Sequence, residues 1–310
     1  MQDANISGLG LTLEDIRSTD WKEVIGRAKK KDCFDYNSLF LAASSEAEKS
    51  GNQRMQVVCR LLGDITSLHM KSDNANEPFG PMVVMGGKRS AIPGDFTDEQ
   101  LAVLQSFLPD VADQELRARI ADVIWIRKRD YKAAELAVSS YIESAKILED
   151  PQHWPDTFHR IERAFRLAVT LGRATGNLEK VVSHIESVLN RYSAEDPLYL
   201  SERLMSLLCE RKLGDPAKYS KLAQKGALRA EAAHDWHRAQ VYWQRKADWD
   251  RIANDDAARK ESLINGAETY VRIAEASVEG NRPGNMVAGS YIMKSIEAFR
   301  RIGGMTGRIN

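Results

Sequence analysis

The sequence predicts an all-α protein: a tetratricopeptide-like helical-repeat array (α-solenoid) preceded by a small N-terminal helical bundle. Three observations carry that reading. Apolar residues recur at helical spacing from end to end, strand alternation is nearly absent, and Asp, Pro and Gly punctuate the chain where helices would begin and stop. With 310 residues, 43% hydrophobic and 28% charged, the composition is that of a globular protein long enough for one elongated array or two compact domains.

Residues 1–75 read as an N-terminal helical segment. Asp20 or Thr19 can cap "WKEVIGRAKK", and "YNSLFLAASSEAEKSG" runs to a stop at Gly51. "QRMQVVCRLLGDITSLHM" then places Met55, Val58, Cys59, Leu62, Ile65 and Leu68 on one side of a helix. Residues 76–96 form a Pro/Gly-rich loop, because Pro78, Pro81 and Pro93 with Gly80, Gly86, Gly87 and Gly94 forbid a continuous helix. A loop of that length in a compact chain is functional or mobile.

Residues 97–310 read as the helical-repeat array, with about nine helices joined by short turns. Thr97 with Gln100 three residues on is a capping box. Asp196-Pro197 and Asp215-Pro216 each offer an Asp cap followed by Pro at the first helical position, where no N–H is needed. Gly176, Gly214, Gly280 and Gly303 are the matching stops. "LRARIADVIWIRKRDYKAAELAVSSYIESA" aligns loosely with "IERAFRLAVTLGRATGNLEKVVSHIESVL", the turns falling at Arg129-Asp130 and Gly176-Asn177; "LYLSERLMSLLCERKLGDPAKYSKLAQKGALRAEAA" is a third pair. In the first of these, Ala118, Ala121, Trp125, Tyr131, Ala134, Ala137, Tyr141 and Ala145 follow the small-large alternation of tetratricopeptide repeats, in which small residues let helices approach and aromatics fill the gaps.

Lys+Arg and Asp+Glu both number 44, so no global field recruits nucleic acid or an anionic membrane, although local patches remain open. Cys33, Cys59 and Cys209 lack CxxC spacing and fall in apolar helical contexts, which points to a reducing compartment. The N-terminus lacks a basic region and an apolar core, and no stretch approaches the roughly 18 uninterrupted apolar residues of a membrane span. The expected location is cytoplasmic.

Candidate chemistry is sparse. "GPMVVMGGKRSA" brings Lys88 and Arg89 into a glycine-rich loop, but Met82 stands where a phosphate loop needs its first glycine, and Arg89 replaces the magnesium-holding hydroxyl. The loop is expected to pack Met82, Val83 and Val84, with Lys88 and Arg89 kept as weak binding candidates. The histidines form two loose pairs, His153 with His159 and His234 with His237, without a third ligand at metal spacing; neither a metal nor a cofactor is expected. No GxSxG elbow or cysteine motif supports nucleophilic catalysis. In "DWHRAQVYWQRKADWDRI", Trp236 and Trp243 share a helical face, as do Arg238 and Arg245. These four are candidate binding residues, while Trp236, Tyr242, Trp243 and Trp249 are expected first as packing between helices.

"RAEAAH" resembles the Arg-x4-6-His pattern of HEPN ribonucleases, which would make Arg229 and His234 the candidate catalytic pair: His for the proton, Arg for the phosphate charge. Ala230 departs from the polar residue those enzymes carry after the arginine. A wider resemblance rests on "ELRARIADVIWIRKRDYKAAELAVSSYIESA", "HRIERAFRLAVTLGR" and "DWHRAQVYWQRKADW". These are similar to the helical N-terminal region of long bacterial proteins carrying domain of unknown function 4209, a region identified as domain of unknown function 7380. In that family the notable motif, Arg-Asn-x-x-x-His-Gly, lies in a separate C-terminal module; it does not occur in this chain, so no family site residue carries over.

The expectation is therefore a non-catalytic helical scaffold or protein-interaction module. Its partner would be a protein or peptide, with a C-terminal module absent from this chain as one candidate; nucleic acid is the lesser expectation and a membrane is not expected. The alternative is a HEPN-like RNA-processing or defence-associated component acting through Arg229 and His234.

Overall fold

The structure, a computed structural model, describes residues 40, 44–45, 47–51, 53–66, 69–70, 79–80, 96–147, 154–172, 175–192, 200–279 and 285–303. These residues are overwhelmingly helical. In chain order they form α1 (Gln53–Thr66), the two-residue strands β1 (His69–Met70) and β2 (Phe79–Gly80), α2 (Asp98–Phe107), a 3-10 turn (Leu108–Asp110), α3 (Gln114–Lys128), α4 (Tyr131–Ile147) and α5 (Trp154–Leu171). α6 (Asn177–Tyr192), α7 (Leu200–Glu210), α8 (Pro216–Ala232), α9 (Trp236–Ile252), α10 (Asp256–Glu279) and α11 (Asn285–Ile302) follow. β1 and β2 pair antiparallel, Met70 opposite Phe79. The chain divides into two compact units, Met1–His184 and Ile185–Asn310.

Local chemistry sets the helix boundaries. Thr97 and Gln100 make the reciprocal capping box, the Thr97 N–H donating to Gln100 Oε1 at 2.9 Å and the Gln100 N–H to Thr97 Oγ1 at 3.3 Å. Asp215 accepts from the Ala217 and Lys218 N–H groups, with Pro216 at the first helical position. One turn device recurs: a left-handed residue closes one helix and an Asp caps the next. It occurs at Arg129-Asp130, His234-Asp235 and Asn254-Asp255, with Arg129, His234 and Asn254 at φ 55°, 56° and 57°. Lys212, at φ 51°, closes α7 in the same conformation. Asp196-Pro197, Gly280, Cys33 and the 81–94 stretch with Lys88 and Arg89 lie outside the described residues.

In the first unit α4 packs along both α3 and α5. Its core contains Ala118, Ala121, Trp125, Ala134, Ala137, Tyr141 and Ala145, as the small-large pattern predicts, and Val58, Cys59, Leu62 and Ile65 of α1 are buried too. Tyr131 corrects that pattern. It is 64% exposed, because the first residue of α4 sits above the turn, where its ring meets only the edge of Trp125 at 5.3 Å.

In the second unit α9 packs along α8 and α10, α10 along α11, and α7 also reaches α9. Tyr242, Trp243 and Trp249 are buried, and the Tyr219 ring lies 4.9 Å from that of Trp249. Gly226 stands in the middle of α8 because a Cβ there would come within 2.7 Å of the Tyr242 ring. Its absence lets α8 and α9 close together, offsetting the roughly 1 kcal/mol by which glycine weakens a helix interior.

Candidate functional site

A dense set of polar contacts in the first unit bridges α3 and α5, both packed on α4. Asp122 and Arg163 are fully buried and joined by two parallel bonds, Arg163 Nε to Oδ2 and Nη2 to Oδ1, each 2.7 Å. This is the bidentate geometry in which guanidinium and carboxylate match best. The Tyr141 hydroxyl of α4 donates to Asp122 Oδ2 at 3.1 Å. Burial, then the Asp122 charge, drives the Tyr141 phenol well above its ordinary pKa, so the hydroxyl stays a donor.

At the start of α3, Glu115 accepts from Arg119 (Nη2 to Oε1, 2.8 Å) and from Arg160 of α5, whose other nitrogen donates to the Ser144 carbonyl at 3.1 Å. Burial opposes the Glu115 charge, but Arg160 and Arg119 outweigh it and hold the pKa down to about 2. Asp113, the half-buried cap of α3, goes the other way. Desolvation pushes it up to about 6, with the Glu115 charge adding to the rise, while the Leu116 N–H at 2.7 Å and the two arginines oppose it.

The second unit contains a different set, shared by α8, α9 and α10. Asp250 accepts from Lys246 Nζ at 2.9 Å, from the Ser262 hydroxyl at 2.7 Å and from the Ser220 hydroxyl; Lys246 also donates to Ser262 Oγ at 3.1 Å. All four side chains are buried. The carboxylate collects both serine hydroxyls and the Lys246 ion pair at once. The contacts tie three helices together.

The residues singled out from sequence are placed as follows. Arg229, in the last turn of α8, and His234, in the turn after it, are both exposed. His234 serves the backbone: its N–H donates to the Glu231 carbonyl at 2.9 Å, the following Asp235 N–H reaches the Ala230 carbonyl at 2.9 Å, and the ring meets the edge of Trp236 at 5.5 Å. The same closure at Asn254 uses Arg251 and Asp250. Trp243 is buried with its Nε1 donating to Glu231 at 2.7 Å, whereas Trp236 is half-buried. Arg238 lies 3.4 Å from Asp235, and Arg245 is held by Glu202 of α7 at 2.8 Å and Asp248 at 3.1 Å. Although burial opposes it, Glu202 and then Asp248 raise the Arg245 pKa, and burial raises that of the adjacent Cys209 thiol. The Trp243 and Arg245 side chains are thus committed within the unit.

His159 Nδ1 lies 3.9 Å from Glu162, and the His237 ring meets the edge of Tyr291 at 5.5 Å. Among the described residues no group of three or more His, Cys, Asp or Glu side chains is placed to hold a metal ion, and no helix is long and apolar enough to cross a membrane. The pairings Asp122 with Arg163 and Glu202 with Arg245 have no sequence motif. The available signal was an ionisable residue at an apolar-face position, as at Asp122 amid Ala121, Val123 and Ile124.

Together these features define a helical protein of two units, each with helices packed in succession and tied by a buried ion pair. The chain belongs to a family known as Domain of unknown function (DUF7380), whose model matches residues 6–180. That span ends just before the close of the first unit at His184. No curated protein and no solved structure matches the chain.

Proposed function

We propose that this protein is a non-catalytic, tetratricopeptide-like helical scaffold that presents its helices to a protein partner. One observation carries the reading: helices two apart in sequence are bonded to each other, α3 to α5 through the buried Asp122–Arg163 pair and α7 to α9 through Glu202–Arg245. Helix pairs stacked in succession generate that contact, and stacked pairs build the extended surfaces on which repeat proteins bind partners. The recurring turn at Arg129, His234 and Asn254 supports it, as do the polar clusters, whose members bond chiefly to one another.

The partner best suited to this reading is a protein carrying a C-terminal module of the kind found with domain of unknown function 4209. Affinity purification of the tagged chain from its native host should retain one stoichiometric partner through a gel-filtration step. Recovery of the chain alone, under conditions that preserve complexes, counts against the scaffold. The alternative, RNA cleavage by Arg229 and His234, is separated by one assay: His234→Ala should leave any RNA-cleaving activity of the preparation unchanged, and its abolition would install the nuclease instead.

A further inference from the structure

We propose that the outer face of α8 docks the phosphate backbone of nucleic acid through Lys218, Lys221, Lys225 and Arg229. The inner face of this helix is fixed, because Tyr219, Ala223, Ala227 and Ala230 are buried. Helical geometry then sets the four cations within an arc of about 80° on the opposite side, spread over roughly 16 Å of helix. All four are exposed.

No carboxylate of α8 itself falls within that arc, and Asp215 of its cap lies at the end beside Lys218. Asp215 accepts from backbone N–H groups at the start of the helix, and Glu231 from Trp243 Nε1. Lys221, Lys225 and Arg229 form no ion pair with any described residue, and Lys218 Nζ rests 5.7 Å from the Tyr219 ring. Some exposed cations elsewhere are matched one turn away, as in Lys146–Glu143, Arg272–Glu275 and Arg301–Glu297. In a chain with 44 charges of each sign, α8 therefore carries a concentrated positive face. Arg211 and Lys212, in the turn leading into it, are exposed as well.

The chemistry of the face selects its occupant. A membrane-binding helix inserts an apolar face, but that of α8 is spent on the core, and only Leu228, 51% exposed, adds apolar surface beside the lysines. The arc carries no aromatic platform and no amide, and Arg229 is its one planar guanidinium able to read a guanine edge. Three lysines and an arginine in a row are suited to sequence-independent phosphate contacts. Arg229 belongs to this row whether or not it has any part in catalysis.

The test is fluorescence anisotropy of the full chain with labelled duplex DNA, duplex RNA and single-stranded RNA of equal length, titrated between 50 and 200 mM salt. Three to four neutralised phosphates give a log–log slope of about −3, a loss of roughly 60-fold in affinity across that range. The variant Lys221→Gln/Lys225→Gln/Arg229→Gln should flatten the slope by about 2.7. A charge-matched control, Lys132→Gln/Lys180→Gln/Lys260→Gln, should keep the wild-type slope. Three results overturn the proposal: a wild-type chain with no salt-dependent binding to any of these probes, equal losses in the two variants, or capture by phosphatidylserine vesicles with nucleic acid left unbound. The wild-type slope stands as a test even if a variant misfolds.

Discussion

Removing the Asp122 carboxylate is the sharpest test of what holds the first unit together. Asp122→Ala deletes two 2.7 Å charge-assisted bonds to Arg163 and the acceptor of the Tyr141 hydroxyl, at a site where both charged side chains are at most 1% exposed. Breaking a buried pair from one side costs about 3–5 kcal/mol, because the remaining charge stays in a low-dielectric interior. The stranded tyrosine hydroxyl adds about 1 kcal/mol. A unit of this size loses about 2–4 °C per kcal/mol, so the affected transition should fall by roughly 8–24 °C. Thermal unfolding of the full chain followed by circular dichroism measures it, the transition that moves identifying the unit. The companion variant, Asp122→Leu with Arg163→Met, removes both charges and should recover most of the loss, since apolar replacements of buried pairs are commonly neutral or stabilising. A shift under about 2 °C for Asp122→Ala would refute the argument, as would a companion no more stable than the single variant.

Three further outcomes are expected. Gly226→Ala should destabilise the second unit by about 1–3 kcal/mol despite alanine's higher helix propensity, because its Cβ meets the Tyr242 ring; a gain in urea stability would show that the ring moves aside freely. His234→Gly should raise stability by up to about 1 kcal/mol, since the residue occupies a left-handed cap that glycine adopts without strain; a loss would mean the imidazole contributes more than its backbone. The third concerns pH. Asp113, raised to about 6, costs the folded state stability progressively as pH rises from near 4 to 6, whereas Glu115, lowered to about 2, contributes stability above pH 4.5 that is lost as pH falls toward 2. Asp113→Asn keeps a cap acceptor and removes the charge, so it should exceed wild type by about 1–2 kcal/mol at pH 7 and match it at pH 4. Urea titrations at the two pH values give the comparison, and a pH-independent difference would contradict the assignment.

Arg163 and Lys246 mark the limit of sequence reading. Each falls in a helix full of charged residues, and solvated faces are the ordinary meaning of that pattern. Arg163 is buried because α5 packs on α4 and turns it toward Asp122 of α3, and Lys246 because α9 lies between α8 and α10. Their partners stand 41 residues away at Asp122 in the first case, and four and 16 residues away at Asp250 and Ser262 in the second. Arg245 shows the same effect: its spacing from Arg238 describes a shared helical face correctly, yet Glu202, 43 residues back, takes the charge. The cations of α8, Lys218, Lys221, Lys225 and Arg229, stand at helical spacing. Their meaning depended on knowing which nearby carboxylates were already engaged.

By itself the sequence determined the local order: the helical periodicity, the Thr97–Gln100 box, the Asp215-Pro216 start, the turn at Arg129-Asp130 and the small-large packing of Ala121, Trp125, Ala134, Ala137 and Tyr141. These features depend on hydrogen bonds and contacts within a few residues, or between helices joined by a two-residue turn, and so leave a periodic trace. Only the tertiary structure decided that Tyr131 stays outside, that Asp122 finds Arg163, that Ser220, Lys246, Asp250 and Ser262 close on one another, and that the lysines of α8 form no ion pair among the described residues. Those outcomes rest on which helices lie side by side, a choice made by the summed packing of whole surfaces and carried by no single spacing along the chain.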